Sequence, residues 1–523
     1  MSQRILTSLL WQAAERWPNR VYLDGEHTYT YAQAVSAVYQ LAKRLESVGV
    51  QRWDRVLIVA QNRPEILLAL FAANVLGATA TILHQASTEI TLKNIHSQLQ
   101  PQAVLLDDKT KSHFHCFQGS SLLDISVLNN LEFIPFEQSL ESIQALSSKR
   151  GTIDTDPALI IYTSGSTGKP RGVVLTQDNI LFVVEKIQKR LGYSLEDSIG
   201  LFLPLSFDYG LYQGFLAAQV GARLIVNSSE LAGPSLIGTL RKRNINILPG
   251  VPNLFESLLK MLERRQEILP EIRLATNTGA HLSEQHILRL QNALPQASIY
   301  PMYGLTECKR VSILSPEEAK KRPGSVGRPL DDTDAFVIDD LGNRLSPGQV
   351  GELVVCGRHL ALGYWKATVE TEVRYRPHPS GIGRALYTGD NFKIDEEGYL
   401  YFAGRKDEQI KRRGFRLHPL EIEKAALELE EVKNAAVIQL EEHLILFIIT
   451  AQAGISQEMI LSKLSEVLES YKIPDFVEIL ENFPNTLNGK VNQRALEEIW
   501  RKKSEKQSIA PLRKQKISSL TNR

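Results

Sequence analysis

The stretch IIYTSGSTGKPRG, residues 160–172, places small residues and a lysine directly after an apolar run. Successive backbone N–H groups there, with the hydroxyls of Thr163, Ser164, Ser166 and Thr167, can wrap a polyphosphate, and Lys169 adds a point charge. The common phosphate loop has four residues between its glycines and Ser or Thr after the lysine. Here Gly165 and Gly168 bracket two residues, and Pro170 follows Lys169. Pro170 keeps the lysine from opening a helix directly, so the loop is expected to lie over a nucleotide as a flap. The plain alternative is a glycine-serine turn. In a second stretch, LPLSFDYGLYQ, residues 203–213, one acid stands among apolar, aromatic and small neutral residues. A buried carboxylate without a partner costs several kcal/mol or gives up its charge, so Asp208 is expected either to face solvent or to meet a cation. A third, HFHC at 113–116, carries imidazoles and a thiol that suit zinc. No second ligand cluster follows it, and it reads more easily as an alternating strand.

These groups need elements to hold them. From about residue 150 to 305, ALIIY, ARLIV, NINIL, IRLAT and ASIYPM alternate with helical patterns, the first opened by Thr176 and another by Ser283. RVLIVA, ATATIL and AVLLD repeat the style nearer the N-terminus. The pattern predicts an α/β fold, a mostly parallel sheet with helices on both faces. Beyond about 320, DAFVIDDLGNRLSPGQVGELVV has the texture of a small antiparallel barrel or sheet. The charged, glycine-bounded segment GRKDEQIKRRG predicts a domain boundary near Asp407. A small α+β domain is expected to run to about 500, followed by a basic, mobile tail over 501–523.

With YGLTE (303–307), YTGD (387–390), GRKDEQIKRRGFRLHPLEIE (404–423) and NGKVNQR (488–494) following in order, YTSGSTGKPRG resembles the signature loop of the adenylate-forming enzymes. That superfamily contains acyl-CoA synthetases, peptide-synthetase adenylation domains and luciferases. Arg171 replaces the lysine more usual there and keeps the charge. The resemblance implies a large core of doubly wound sheets plus a small β-barrel over 1–406, and a mobile C-terminal domain over 407–500 that turns about a hinge at Asp407. It implies ATP and Mg²⁺, attack of a carboxylate on the α-phosphorus, and loss of pyrophosphate. Thr163 to Lys169, Gly279, Ala280, His281, Tyr303, Gly304, Asp390, Phe402 and Lys411 are then expected on the nucleotide. Tyr303 would stack on adenine with Phe402 beside it, and Asp390 would accept from the ribose hydroxyls. Thr306 would hold the α-phosphate, Glu307 the Mg²⁺, which prefers oxygen donors, and Arg405 the ribose and phosphate side. Lys490 would bridge the substrate carboxylate and α-phosphate, since two anions approach only with a cation between them. Core packing, turns and solvated charge are the plain alternatives for each of these residues taken alone.

Fatty- and aryl-acid ligases usually have a histidine-containing motif where this chain has Ser206-Phe207-Asp208-Tyr209. Peptide-synthetase adenylation domains have an aspartate there that binds the substrate's ammonium, and Asp208 is similar. The resemblance carries Tyr209, Tyr212, Pro249, Thr276, Thr278, Met302, Cys308, Arg310 and Val311 into the pocket. Arg310, awkward among apolar groups, is expected to turn outward or pair with an acid. SFDYGLYQ is close to the corresponding string of free-standing L-proline adenylating enzymes of pyrrole and anatoxin-type pathways, which load a separate carrier protein. With 33 residues after Lys490 and no phosphopantetheine serine among them, the thiol is expected in trans.

The 523 residues suggest roughly three units at ~150 residues per domain. Hydrophobic residues at 43% with a net charge of +1 lack the basic excess of a nucleic-acid binder, so the partner is expected to be small and held in a pocket. Three scattered cysteines fit a reducing compartment, with the cytosol as default. No leader is apparent, and no apolar run reaches the ~18 residues of a membrane span. Two rival readings are an acyl-CoA ligase for a small or fatty acid and a silent nucleotide-binding scaffold. Retention of Lys169, Glu307, Asp390 and Lys490 opposes the scaffold.

Overall fold

Helices that start at hydroxyl caps, between short strands rich in Val, Ile and Leu, set the chain into parallel pairing. Thr176 and Thr30 each accept from the backbone N–H three residues on, and the third residue's side chain accepts in return from the cap's own N–H; both are capping boxes. The computed structural model describes residues 4–506 except 165–169, 228–232, 234, 281, 382, 407–409, 413–414, 441–442, 453, 471 and 487–489. At 130, 164, 410–412, 415–416 and 504–506 it describes the backbone alone. The chain forms two units, Met1–Phe402 and Ala403–Arg523. The expected hinge residue, Asp407, lies outside the described residues.

In the first unit, a seven-stranded sheet contains β1 (Pro157–Ser164) and β2 (Pro170–Thr176), an antiparallel hairpin beside four parallel strands. The loop 165–169 joins the hairpin's two strands, so most of the phosphate-loop prediction falls on residues outside those described; its flanks are strands rather than a helix. A nine-stranded sheet contains β3 (Ile247–Gly250), β4 (Leu274–Asn277) and β5 (Ser298–Tyr303) in parallel neighbouring order. A five-stranded antiparallel sheet over 333–405 stands where the small barrel was expected.

Helix α1 (Asp208–Val220) is buried on every side from Asp208 to Ala218, as is the helix Glu65–Val75 against it. The two come close because Gly214 has no side chain: a Cβ there would lie 2.7 Å from Leu67 Cδ1. Phe71 and Phe215 meet edge-on at 6.1 Å beside that contact. The approach to α1 is clamped by Asn62, whose Nδ2 donates to the Leu203 carbonyl at 2.8 Å and whose Oδ1 accepts from the Leu205 N–H at 2.7 Å. Asp208 thus begins its helix in a fixed place.

The second unit holds a sheet of Val432–Leu440, His443–Thr450 and Phe476–Ile479, packed by the helices Pro419–Leu427 and Gln457–Val467. Two expectations need correction. HFHC is not a strand: Lys111–Cys116 is a 3₁₀ helix, in which side chains three apart eclipse and Cys116 alone is buried. The C-terminal tail does not begin at 501, because the amphipathic helix Gln493–Lys506 runs past it and buries Leu496 against the sheet. No described helix is long and apolar enough to cross a membrane.

Gly214→Val is expected to destabilise the first unit by about 1–3 kcal/mol through overpacking against Leu67. Urea unfolding checks this, and an unchanged midpoint would show that the two helices do not pack as closely as described.

Candidate functional site

One segment, Tyr303–Arg310, links two clusters of side chains. At its start, the Tyr303 ring meets Phe392 edge-on at 4.6 Å and stacks on Phe402 at 6.4 Å. Its hydroxyl donates to Asp390 Oδ2 at 2.6 Å. Burial, then the Asp390 charge, hold this hydroxyl well above the ordinary tyrosine range, so it stays a donor. Asp390 is buried on the strand Arg384–Ile394, and its N–H donates to Thr388 Oγ1 at 3.1 Å. An aromatic wall ending in a fixed acceptor suits a planar base and a hydroxylated sugar. Tyr303, Asp390 and Phe402, far apart in sequence, are brought together as the motif order implied.

Glu307 is held from two sides. Tyr364 Oη donates to its Oε1 at 2.7 Å, and the Ala361 N–H donates to its carbonyl at 2.9 Å, joined by Tyr375 Oη at 3.2 Å. The Arg171 guanidinium lies 5.7 Å over the Tyr364 ring, which brings the β1–β2 hairpin to the same place. A carboxylate with one oxygen oriented by a phenol fits a hard cation such as Mg²⁺. Thr306, beside it, is half-buried.

The second cluster surrounds Asp208. This acid is the first residue of α1, whose cap is Phe207 with no capping side chain, so it is neither solvated nor a helix cap. Its Oδ2 faces Lys309 Nζ at 3.4 Å, with the two side chains 9% and 3% exposed. Lys309 is also 4.5 Å over the Tyr212 ring and 5.6 Å over Tyr209. Burial pulls its ammonium down to about 7; Asp208 opposes that shift and Arg310 adds to it. The Lys309 backbone is left-handed at φ 59°, in a tight turn where the Cys308 N–H donates to the Leu305 carbonyl at 3.1 Å and the Arg310 N–H to the Cys308 carbonyl at 2.7 Å. Gly304 makes room for that turn: a Cβ on it would fall 2.2 Å from the Lys309 carbonyl oxygen.

Arg310 corrects an expectation. It turns inward and is buried, its Nη1 donates to Thr278 Oγ1 at 2.7 Å, and its guanidinium lies 5.7 Å over Tyr209. Its Nε has no hydrogen-bond partner among the described residues. Burial lowers its pKa. Tyr209 Oη is 2.6 Å from Thr276 Oγ1, and Thr276 sits across from Pro249 between β4 and β3. Met302, Cys308 and Val311 are buried in the same core. Lys309 itself was not among the expected pocket residues. Its one sequence signal is its place between Cys308 and Arg310, which were.

Gly279 follows β4 with φ 91°, and Ala280 is exposed beside it. His281 and the Lys411 side chain lie outside the described residues. Arg405 ends the strand Leu400–Arg405, and its N-terminal partner in sequence, Phe402, belongs to the first unit. Lys490 is exposed in the second unit, where its carbonyl accepts from the Thr486 N–H at 2.7 Å. The HFHC segment does gain a third donor, since Glu89, His115 and Cys116 have ligand atoms within 4.8 Å of one another.

Residues 10–365 match the AMP-binding enzyme family and residues 421–490 the AMP-binding enzyme C-terminal domain. The chain belongs to the AMP-binding enzymes. Delta-poly-L-ornithine synthetase of Acinetobacter baumannii (strain AB307-0294) is 28% identical over 521 residues, 95% of this chain and 37% of that protein. Gramicidin S synthase 2 of Aneurinibacillus migulanus is 31% identical over 472 residues, 88% of this chain and 10% of that protein. The chain therefore spans only a minor part of the length of these curated relatives. The crystal structure of ATP-bound MatB from Rhodopseudomonas palustris superposes with a TM-score of 0.82 at 22% identity, covering 95% of this chain and 99% of that one. VinN in complex with L-aspartate gives a TM-score of 0.67 at 28% identity, over 76% and 98%.

If Glu307 is the Mg²⁺ ligand, Tyr364→Phe is expected to raise the Mg²⁺ concentration for half-maximal adenylation about tenfold. An unchanged Mg²⁺ titration would separate Glu307 from the metal.

Proposed function

We propose that this chain adenylates an amino acid, with L-proline the leading candidate, and transfers it to the phosphopantetheine thiol of a separate carrier protein. The observation that carries the reading is Asp208: a buried acid fixed at the head of α1, with its oxygen toward a cation. A buried carboxylate among tyrosines has the chemistry to bind an ammonium. VinN, solved with L-aspartate, is a neighbour with an amino acid bound. L-proline is favoured by the SFDYGLYQ string and by the two tyrosines, Tyr209 and Tyr212, which suit a compact ring whose ammonium offers two N–H donors.

In this reading Asp208 holds the amine and directs the substrate's carboxylate toward the Tyr303–Glu307 segment. The carboxylate oxygen bonds to the α-phosphorus as the bond to pyrophosphate breaks; Glu307 would hold Mg²⁺, which would neutralise charge on the phosphates. Tyr303, Phe402 and Asp390 orient the nucleoside, Gly279, Ala280 and His281 line its other side, and Thr163 to Lys169 cover the phosphates. Thr306 holds the α-phosphate, and Arg405 reaches the ribose and phosphate side. Lys490 bridges the two reacting anions, and rotation at Asp407 removes it so that the carrier's thiol attacks the acyl carbon and AMP leaves, with Lys411 on the nucleotide side of that movement.

A second reading, an acyl-CoA ligase for a small or fatty acid, is favoured by one observation: the charge of Asp208 is already met by Lys309, as in a pocket that needs no amine. ATP–pyrophosphate exchange over the amino acids and a set of simple acids decides between them. L-proline is expected to drive exchange, and Asp208→Ala to reduce it at least about a hundredfold, the cost of losing one partner of a buried charged contact. Exchange driven only by simple acids, or full activity of the variant, would contradict the amine role.

A further inference from the structure

Away from the clusters around Asp208 and Tyr303, the first unit brings a carboxylate, an imidazole and a thiol to one point. Glu89 opens the helix Glu89–Leu99, and His115 and Cys116 close the 3₁₀ helix Lys111–Cys116. Their ligand atoms lie within 4.8 Å of one another. We propose that these three residues form a Zn²⁺ site, which shares no residue with the cluster around Glu307. The inference rests on these side chains and not on the reading of the chain as an amino-acid ligase.

The hydrogen bonds of His115 fix which nitrogen is free. Its Nδ1 lies 3.0 Å from the Ser112 carbonyl, which only accepts, so Nδ1 carries the hydrogen and donates. The lone pair of the neutral ring is then on Nε2, the atom that faces Glu89 Oε2 at 3.2 Å. Two acceptors at that distance repel unless a proton or a metal ion stands between them. A backbone carbonyl on the far nitrogen is also the usual support of a metal-binding histidine. Zinc bonds of about 2.0–2.1 Å to nitrogen and oxygen, at a tetrahedral angle, set those two atoms about 3.3 Å apart. The imidazole and carboxylate are already at that spacing. The sulfur, with a Zn–S bond of about 2.3 Å, has to stand about 3.5 Å from each of them, so the widest gap closes by at most roughly 1.3 Å.

The backbone that carries the three ligands is anchored in the core. Cys116 and Phe117 pack with Leu92, Ile95 and Leu99 in one apolar cluster. Thr110, at the head of the 3₁₀ helix, donates its hydroxyl to the Val59 carbonyl at 2.6 Å, and Thr88 caps the helix that Glu89 begins. Cys116 is buried while Glu89 and His115 are exposed, so the site has sulfur at its floor and an open position toward solvent, where water completes the tetrahedron. The donor set chooses the metal. Mg²⁺ and Ca²⁺ take oxygen ligands, whereas a thiolate with an imidazole and a carboxylate suits Zn²⁺. Lys93 Nζ, 3.4 Å from Glu89 Oε2, competes for that oxygen, but both groups are exposed and solvent screens the pair, so the flexible lysine gives way. On binding, the Cys116 S–H bond breaks, its proton passes to solvent, and the sulfur's electron pair forms the bond to zinc.

Absorption spectra of the full chain, kept reduced, stripped with a chelator and titrated with Co²⁺ as a probe for Zn²⁺ in excess Mg²⁺, test the inference. One equivalent of Co²⁺ is expected to bring a near-ultraviolet thiolate-to-cobalt band together with visible bands of tetrahedral strength, and one equivalent of Zn²⁺ to remove both. Cys116→Ser should lose the thiolate band, and Cys356→Ser should keep it. His115→Ala and Glu89→Gln, both at exposed positions, should each weaken Zn²⁺ binding at least about tenfold in competition with a chromogenic chelator. Absence of the thiolate band in the wild type would leave His115 and Glu89 as a plain ion pair and overturn the inference. A thiolate band that survives Cys116→Ser, or a Zn²⁺ affinity unchanged in either His115→Ala or Glu89→Gln, would overturn it as well.

Discussion

The cluster around Asp208 is organised by the cost of burying charge. Asp208, Lys309 and Arg310 all lie in the interior of the first unit, and together they carry one negative and two positive formal charges. A buried ion pair seldom adds stability over apolar groups of the same size, whereas an unpaired buried charge is strongly destabilising. The arrangement is therefore better explained by what it can bind than by what it holds together. Each charged group is placed with some structural effort: Asp208 by the Asn62 clamp and the helix start, Lys309 by a left-handed turn, Arg310 by Thr278. Non-glycine residues held at positive φ cluster at functional sites, and Lys309 is one of seven in the described chain.

The same segment reaches the aromatic cluster of Phe392 and Phe402. Tyr303 ends β5 and leans on Phe392, Phe402 and Asp390; four residues on, Glu307 is gripped by Tyr364; two further on, Lys309 meets Asp208. A rigid strand followed by a tight turn puts the ring, the acid and the cation on one piece of backbone. Gly304 is the residue that permits this, since any side chain there would strike the Lys309 carbonyl.

Much of the fold was legible because hydrophobic period and capping chemistry agree. Thr176 and Ser283 cap the helices they were expected to open, and RVLIVA and ALIIY lie in the sheet strands that their composition suggests. HFHC misled because an alternation of four residues is too short to tell a strand from a 3₁₀ turn, and the partner Glu89 comes from a helix more than twenty residues earlier. The tail boundary misled because a run of lysines hides a helical stripe of apolar residues such as Leu496. In the site, the motifs gave Tyr303, Asp390 and Phe402 as neighbours, which no local pattern could. Arg310 was carried into the pocket but expected to turn outward or pair with an acid; the hydroxyl that holds it, Thr278, stands just past a strand whose place beside this segment is not readable from the sequence. Lys309 was missed for the same reason, since its buried partner lies a hundred positions away.

The central claim is that Asp208 selects substrates by a positive charge next to the reacting carboxylate. Mass-spectrometric detection of the acyl-AMP formed from L-proline and from N-acetyl-L-proline, which keeps the ring and carboxylate but has no ammonium, tests it most directly. The account predicts prolyl-AMP and at least about a hundredfold less of the acetylated adduct. Equal amounts of the two would contradict it.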